Sequence, residues 1–210
     1  MRKNIFISGN TYVDSGRYKS NPNDEFGLSF YSGTKTITNQ GGIRRRFFET
    51  DICEDLNLPI KIPAVLVLVT TLDNVYLDVE KPWMDELKKP KLIYHGDNKP
   101  LKNGLSKALS ERDGCKDLIA IDQINSMSSN LSNFVPPILY FTKRQSGFMT
   151  FEGLFALDSI NKYLIHGDCE NIRANLLCIG DQVNMKKLRE RPLVGNRHDL
   201  PEIHDYVITI

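Results

Sequence analysis

The chain has 210 residues, of which 27 are basic and 26 acidic, so its formal net charge is +1. Hydrophobic residues make up 40% and charged residues 25% of the sequence, which is typical of a globular protein that buries a core. Many dedicated nucleic-acid-binding proteins are strongly basic, so DNA binding by this chain would require its positive charge to be concentrated on one face.

The sequence carries no signal for secretion, membrane insertion or zinc binding. The first apolar run ends at Ser8, too early for a signal peptide, and the longest one, Ala64–Val69, is far below the roughly 20 residues of a membrane helix. The four cysteines form no C-x-x-C pair and lie at no zinc-finger spacing from the histidines. These patterns predict a soluble, cytoplasmic protein with reduced thiols, no membrane contact and no cofactor.

In chain order, short strands are expected at residues 4–7 and 28–31, within a region rich in glycine, serine and asparagine. Pro63–Leu72 is the clearest predicted strand, because β-branched residues and leucines run without interruption. Continuous apolarity predicts burial on both faces and a central place in a sheet. Residues 75–79 are expected to return as the hairpin partner of this strand.

Further strands are predicted at residues 91–95, 138–141, 148–151, 153–157 and 174–179, and helices at residues 106–112, 117–127 and 185–191. Many short strands with few helices, and no regular β-α-β alternation, indicate the α+β class. We expect a strongly curved mixed β-sheet or pseudobarrel with a few short flanking helices. No boundary divides the chain, so a single domain over residues 1–210 is predicted.

The most informative motif runs from Tyr94 to Lys99, at the end of a predicted strand, and contains His95, Gly96 and Asp97. A ring that stacks on a base and a carboxylate that accepts hydrogen bonds from the cytosine N4 amine are what a pocket for an extruded cytosine requires. Tyr94, His95 and Asp97 are therefore the candidate base-pocket residues. From spacing alone, an ordinary polar turn at a strand end explains the same residues.

Two basic clusters are candidates for contacts with the DNA backbone, because arginine and lysine bind phosphates through charge-assisted hydrogen bonds. Their members are Arg44, Arg45, Arg46, Lys88, Lys89, Lys91, Lys99 and Lys102. The alternative is that these are ordinary solvated side chains, or charges that protect a sheet edge from pairing.

A nuclease site is the competing hypothesis. Asp78 or Asp85, followed by Asp97 and Lys99, has the form D…D-x-K, which can hold Mg²⁺ and activate water for phosphodiester cleavage. Only this hypothesis requires a cofactor, and the pattern arises often by chance. The near-neutral charge also permits a protein-interaction domain with no nucleic-acid role.

Six short segments in a fixed order resemble the N-terminal domain of AspBHI- and MspJI-type modification-dependent restriction endonucleases. They are residues 39–44, 83–85 with 94–99, 136–141, 151–154 and 171–174. The resemblance runs from about residue 8 to about residue 191. Ile43 and Met84 stand where the family usually has phenylalanine and proline.

The resemblance implies an SRA-like fold that binds double-stranded DNA and accepts a methylated or hydroxymethylated cytosine, flipped out of the helix, in a pocket. It also implies that cleavage belongs to a separate nuclease domain or subunit. The chain is thus expected to be the non-catalytic recognition part of a restriction system. A sequence-specific DNA-binding domain that flips no base is the alternative within the same fold.

Overall fold

The computed structural model describes residues 5–16, 21–30, 43–47, 63–72, 85–96, 107–127, 136–165 and 169–185. Within these ranges the strands are β1 (Ile5–Ile7), β2 (Thr11–Val13), β3 (Ile43–Phe47), β4 (Pro63–Thr71), β5 (Glu86–Lys88), β6 (Lys91–His95), β7 (Ile138–Lys143), β8 (Phe148–Ile165), β9 (Cys169–Gly180) and β10 (Gln182–Asn184). The helices are α1 (Glu25–Phe30) and α2 (Asp113–Met127), with a 3-10 turn at Leu109–Glu111.

Most strands belong to one mixed sheet with the order β3-β4-β7-β8-β9-β6-β5, and β2 pairs with β8 in addition. The β4–β7 pair is parallel, whereas the other neighbours are antiparallel. β1 and β10 form a separate two-stranded sheet. The predicted mixed-sheet α+β class is confirmed. Within the described ranges the sheet ends at β3 and β5 and is not closed into a barrel.

β4 lies in the middle of the core, as its uninterrupted apolar sequence predicts. Leu66 and Leu68 pack in an apolar cluster on one face of the sheet. Val65, Val67 and Val69 pack in a second cluster on the opposite face. A strand that is covered on both faces cannot alternate polar and apolar residues, so its sequence is continuously apolar.

The first apolar cluster lies between the sheet and α2. Leu118 and Ile121 of the helix pack there with Leu92, Tyr94 and Ile172 of β6 and β9. The helix begins at Asp113, four residues before the predicted start. The helix predicted at residues 106–112 is wrong, since the described residues 107–112 contain only the 3-10 turn.

The second cluster is aromatic and includes α1, where the sequence predicted a strand at residues 28–31. That prediction is wrong because Asp24 caps the helix: its Oδ1 accepts a hydrogen bond from the Gly27 N–H at 2.7 Å. Phe26 and Phe30, four residues apart, lie on one helical face with ring centroids 5.1 Å apart. Phe26 also meets Phe141 edge to face at 5.0 Å.

β8 and β9 form a long hairpin that extends beyond the rest of the sheet. The sequence predicted two strands at residues 148–151 and 153–157, but one 18-residue strand covers both. Gly153, with φ +150, lies next to the register shifts with β7 and β9, and the strand continues through these irregularities without ending. The predicted strand at residues 75–79, and the predicted helix at 185–191 apart from Met185, lie outside the described residues.

Candidate nucleic-acid interface

β6 ends at His95, and the backbone of His95 and of the following Gly96 is held from two sides. The carboxylate of Asp85 accepts a hydrogen bond from the His95 N–H at 2.6 Å. On the other side, the Gly96 N–H donates to the Ile172 carbonyl at 2.9 Å, and the Gly96 carbonyl accepts from Asn171 Nδ2 at 3.1 Å. The point at which the chain leaves β6 is therefore fixed by hydrogen bonds to separate parts of the fold.

Gly96 is required by close packing. A Cβ at this position would lie 2.6 Å from Cγ1 of Ile172, 2.7 Å from Oδ1 of Asn171 and 2.7 Å from Sγ of Cys115. Gly96 is not among the glycines with positive φ, so its backbone conformation is not what requires a glycine here. Its lack of a side chain lets β6 approach β9 and α2 closely.

Asn171 is the centre of a buried polar network. Its side chain is fully buried, and its Oδ1 accepts a hydrogen bond from Arg112 Nη1 at 3.1 Å. Its Nδ2 donates to the Gly96 carbonyl and to the Tyr163 hydroxyl, both at 3.1 Å. Every polar hydrogen of this amide has a partner, so the network joins the segment before α2 to β6, β8 and β9 without an unsatisfied group at Asn171.

The imidazole of His95 pairs with Tyr163, and His95 Nδ1 lies 2.8 Å from the Tyr163 hydroxyl. The same hydroxyl accepts a hydrogen bond from Asn171, and the imidazole tautomer decides whether His95 Nδ1 or the Tyr163 hydroxyl is the donor between these two groups. Burial lowers the pKa of His95, the nearby Arg173 lowers it further, and Glu86 acts in the opposite sense. Burial also raises the pKa of Tyr163. Both groups are therefore neutral near pH 7.

A second series of side-chain hydrogen bonds connects the interior of the sheet to the end of β6 through Asp85. The Tyr140 hydroxyl donates to Thr70 Oγ1 at 2.9 Å, and the Thr70 hydroxyl donates to Asp85 Oδ2. The other carboxylate oxygen, Oδ1, accepts from the His95 N–H. Both oxygens of Asp85 therefore accept hydrogen bonds from within the fold.

The side of the sheet that faces away from α2 forms an outer face on β5, β6 and β9. Along each of these strands, the residues of the outer face alternate with residues that are buried in the core. The outer face carries Glu86, Lys88, Lys91, Ile93, His95, Arg173, Asn175 and Leu177. A groove of about 390 Å³ opens on this face and includes Lys88, Lys91 and Arg173 among its lining residues. Asp158 and Glu86 lie at the same groove, so its charge is mixed.

The three described lysines that were predicted to contact phosphates differ in their surroundings. Lys88 is highly exposed and lies 3.7 Å from Glu86, a weak surface pair. Lys91 is exposed at the groove. Lys89 Nζ donates to Asp181 at 2.6 Å and to Ser8 at 2.7 Å, so it joins the β5–β6 turn to the ends of β9 and β1. Lys88 and Lys91 are the better placed of the three for an external anion.

Tyr94 does not lie where a base can stack on it. Its side chain is only 2% exposed, within the apolar cluster beneath α2, and its ring meets that of Tyr140 edge to face. Strand alternation explains this placement: Leu92 and Tyr94 face the core, so His95 faces outward. The structure therefore assigns Tyr94 to the core and not to an open base pocket.

Arg44 also has a structural place that differs from the predicted phosphate contact. Its Nη2 lies 3.1 Å from Asp14 Oδ2, and the two side chains are only 12% and 6% exposed. The guanidinium carbon lies 5.0 Å from the centroid of the Phe26 ring. An arginine held between a buried carboxylate and a core aromatic ring stabilises the fold and is not presented to an external phosphate.

Other predicted site residues cannot be placed. Asp78, Asp97, Lys99 and Lys102 lie outside the described residues. Arg45 and Arg46 are described through their backbone, which pairs with Leu66 and Val65 of β4. Their predicted roles stay predictions.

Tyr163, Asn171 and Arg173 were not predicted as site residues. Asn171 and Arg173 belong to a segment that carries the family resemblance, but nothing in the sequence pattern gave them a role. No sequence signal pointed to Tyr163, because its proximity to His95 arises from the pairing of β8 with β9 and of β9 with β6.

Among the described residues, no group of three or more histidine, cysteine, aspartate or glutamate side chains is arranged to hold a metal ion. The described part of the chain also contains no helix with the length and apolar character needed to cross a membrane. What the β6 end offers is a set of hydrogen-bonding groups and two aromatic rings, His95 and Tyr163, whose centroids are 5.5 Å apart. Cations of the outer face lie beside them.

A family model described as the N-terminal part of the restriction endonuclease AspBHI matches residues 6–165. No curated protein matches the sequence.

Three solved structures are similar to this chain. MspJI restriction endonuclease, in complex with a 27-mer oligonucleotide, has a TM-score of 0.69 at 14% identity, over 91% of this chain and 47% of that one. The modification-dependent restriction endonuclease AspBHI has a TM-score of 0.57 at 20% identity, over 94% and 48% of the two chains. The DNA recognition domain of LpnPI has a TM-score of 0.57 at 20% identity, over 89% and 79%. These likenesses confirm the expected fold, and the chain spans about half the length of MspJI and AspBHI.

Proposed function

Since the chain belongs to the family of AspBHI N-terminal restriction endonuclease domains, we propose that it binds duplex DNA and discriminates modified from plain cytosine by accepting a flipped base. The family match over residues 6–165 is the observation that carries this proposal. MspJI was solved with an oligonucleotide, and LpnPI is named a cytosine modification-dependent endonuclease. A fold shared with these proteins supports the same class of ligand here.

The geometry at the end of β6 supports the base-binding part of the proposal. Extruding a base costs a few kcal/mol in lost stacking, so the pocket must be rigid enough for its contacts to offset that cost. His95 and Gly96 are held by Asp85, Tyr163, Asn171 and the backbone of β9. Asp97 is the next residue in the sequence, and we assign it the hydrogen bond from the cytosine N4 amine.

We assign the phosphate contacts to the exposed cations of the outer face. Lys88 and Lys91 retain the role expected from the sequence, and Arg173, opposite His95 in the register, joins them. These three cations share the outer face with the carboxylates of Glu86 and Asp158, and they are the groups of this face that can contact phosphates although the whole chain is nearly neutral. We place cleavage in a separate nuclease domain or subunit, because MspJI and AspBHI are about twice as long as the part that this chain matches.

The test measures binding of the chain to matched duplexes with plain, methylated or hydroxymethylated cytosine, by fluorescence anisotropy at two salt concentrations. We expect tighter binding to a modified duplex, and no strand cleavage when Mg²⁺ is added. Equal binding to all three duplexes would leave a DNA-binding domain that does not recognise modification. Cleavage with Mg²⁺ would favour the nuclease hypothesis.

The variant Asp97→Ala tests the base contact. It should reduce the preference for the modified duplex by about tenfold, the effect of losing one hydrogen bond to a charged acceptor. Binding of plain DNA should change little, because its cytosine stays stacked and does not enter the pocket. Asp158→Ala, which removes an exposed carboxylate from the outer groove, is the matched control. An equal loss on both kinds of duplex would contradict the pocket role of Asp97.

A further inference from the structure

The end of β6 is tied to the interior of the sheet by three side chains in series. Tyr140 belongs to the parallel partner strand β7 and is 2% exposed. Its hydroxyl donates to Thr70 near the end of β4, and Thr70 donates to Asp85. Asp85 in turn holds the His95 N–H at 2.6 Å. We call Tyr140, Thr70 and Asp85 the relay.

The direction of the hydrogen bonds makes Thr70 the critical member of the relay. Each donor points toward the carboxylate, so the negative charge of Asp85 is stabilised at Oδ2 by Thr70 and at Oδ1 by His95. Burial and the nearby carboxylate of Asp85 both raise the pKa of Tyr140, so its hydroxyl keeps its proton and remains a donor. A side chain of the same volume without the Thr70 hydroxyl would deprive Asp85 Oδ2 of the hydrogen bond that Thr70 donates.

The relay reaches the site from the side opposite to Asn171. Asn171 holds the Gly96 carbonyl from β9, whereas Asp85 holds the His95 N–H through β4 and β7. If only one of these two hydrogen bonds were present, the end of β6 could shift together with the element that holds it. Because both clamps act on neighbouring residues, the position of the β6 end depends on each of them.

We propose that Thr70 and Asp85 are positioning residues that set the discrimination between modified and plain cytosine, by holding the end of β6 in the geometry that the flipped base requires. The inference rests on the proposed function. Neither residue needs to touch DNA for this role. Only a flipped base reaches the end of β6, so displacing this end weakens binding of the methylated duplex, whose base is flipped, more than binding of plain DNA that stays stacked.

The experiment compares Thr70→Val, which removes the hydroxyl at nearly constant volume, with Thr70→Ser, which keeps it. Affinities for plain and methylated duplexes are measured by anisotropy at two salt concentrations, at a temperature where thermal unfolding shows each variant to be folded. Thr70→Val should lower the preference for the methylated duplex about tenfold and leave the salt dependence unchanged. Thr70→Ser should stay within about twofold of the unaltered chain.

The outcomes separate this inference from the proposed function. If the unaltered chain shows no preference for the methylated duplex, the proposed function fails, and the inference fails with it. If the preference is present and Thr70→Val retains it, the positioning role is wrong while the proposed function stands. Equal losses in the valine and serine variants would also overturn the role, since the hydroxyl would then not be the cause. Should Thr70→Val not fold, Tyr140→Phe removes the first hydroxyl of the relay and is judged by the same ratio.

Discussion

Gly96 lies where β6, β9 and the start of α2 converge, and three side-chain atoms come within 2.7 Å of the place that a Cβ would take. Two of those atoms belong to Ile172 and Cys115, which are fully buried in the cluster beneath α2. The third, Oδ1 of Asn171, accepts a hydrogen bond from Arg112. A side chain at residue 96 would therefore disturb an apolar contact and a polar network together.

We expect Gly96→Ala to lower the free energy of unfolding by about 1–3 kcal/mol, the usual cost of overpacking a closely packed site. Urea denaturation measures the effect. Ser126→Ala, on an exposed part of α2, is the control and should change stability by no more than about 0.5 kcal/mol. An alanine variant as stable as the control would show that the neighbours of Gly96 relax at no cost.

At the scale of elements, β6, β8 and β9 meet at the imidazole of His95. Its Nδ1 is hydrogen-bonded to the hydroxyl of Tyr163 of β8, while Arg173 of β9 lies opposite His95 in the register. Burial and Arg173 both lower the pKa of His95 below its ordinary value of 6.5, and Glu86 only partly opposes them. Between the folded and unfolded pKa values, the unfolded chain binds a proton that the folded chain does not.

The neutral form of His95 therefore contributes stability that is fully present above pH 6.5 and is lost as the pH falls below this value, through the lowered folded pKa. We expect the free energy of unfolding to decrease from pH 7.5 to pH 5.5 (about one unit on either side of the ordinary histidine value). The decrease should be smaller in His95→Gln. Chemical denaturation at each pH provides the measurement.

Other groups titrate as well, which is why the variant is needed. Burial raises the pKa of Asp122, so its contribution to stability changes with pH in the opposite sense. Asp122 is present in both proteins and cancels in the comparison. Identical pH profiles for the unaltered chain and His95→Gln would show that His95 keeps the same pKa on folding.

At the scale of the whole molecule, 27 basic and 26 acidic residues give almost no net attraction for DNA. Their arrangement decides which cations are available. Arg44 is enclosed with Asp14 and Phe26, and Lys89 is paired with Asp181. Lys91 and Arg173 are exposed on the outer face that also carries His95.

This difference predicts separate effects on the salt dependence of DNA binding. Lys91→Ala and Arg173→Ala should each weaken binding to all duplexes and reduce the slope of log K against log salt by about 0.9, the value for one lost phosphate contact. Arg44→Lys should leave that slope unchanged, because Arg44 is paired inside the protein. Anisotropy titrations over a range of salt concentrations test this. A reduced slope in Arg44→Lys would show that Arg44 contacts a DNA phosphate after all.

The sequence by itself determined the fold class, the central strand and the family. Ala64–Val69 is uninterruptedly apolar because this part of β4 is covered on both faces, and local pattern is enough to recognise such a strand. The β6 strand, the main helix and the motif that begins at Tyr94 were also located from sequence. Each depends on residues that are close together in the chain.

Only the tertiary structure decided which side chains form the site. Strand alternation and the position of α2 placed Tyr94 in the core, and Asp14, 30 residues away from Arg44, enclosed that arginine. Tyr163 reaches His95 across a separation of 68 residues, and Asn171 reaches Gly96 across 75. These contacts depend on strand order and register, which no local pattern encodes, so a hydrogen-bonded site made from distant strands becomes visible only in the folded chain.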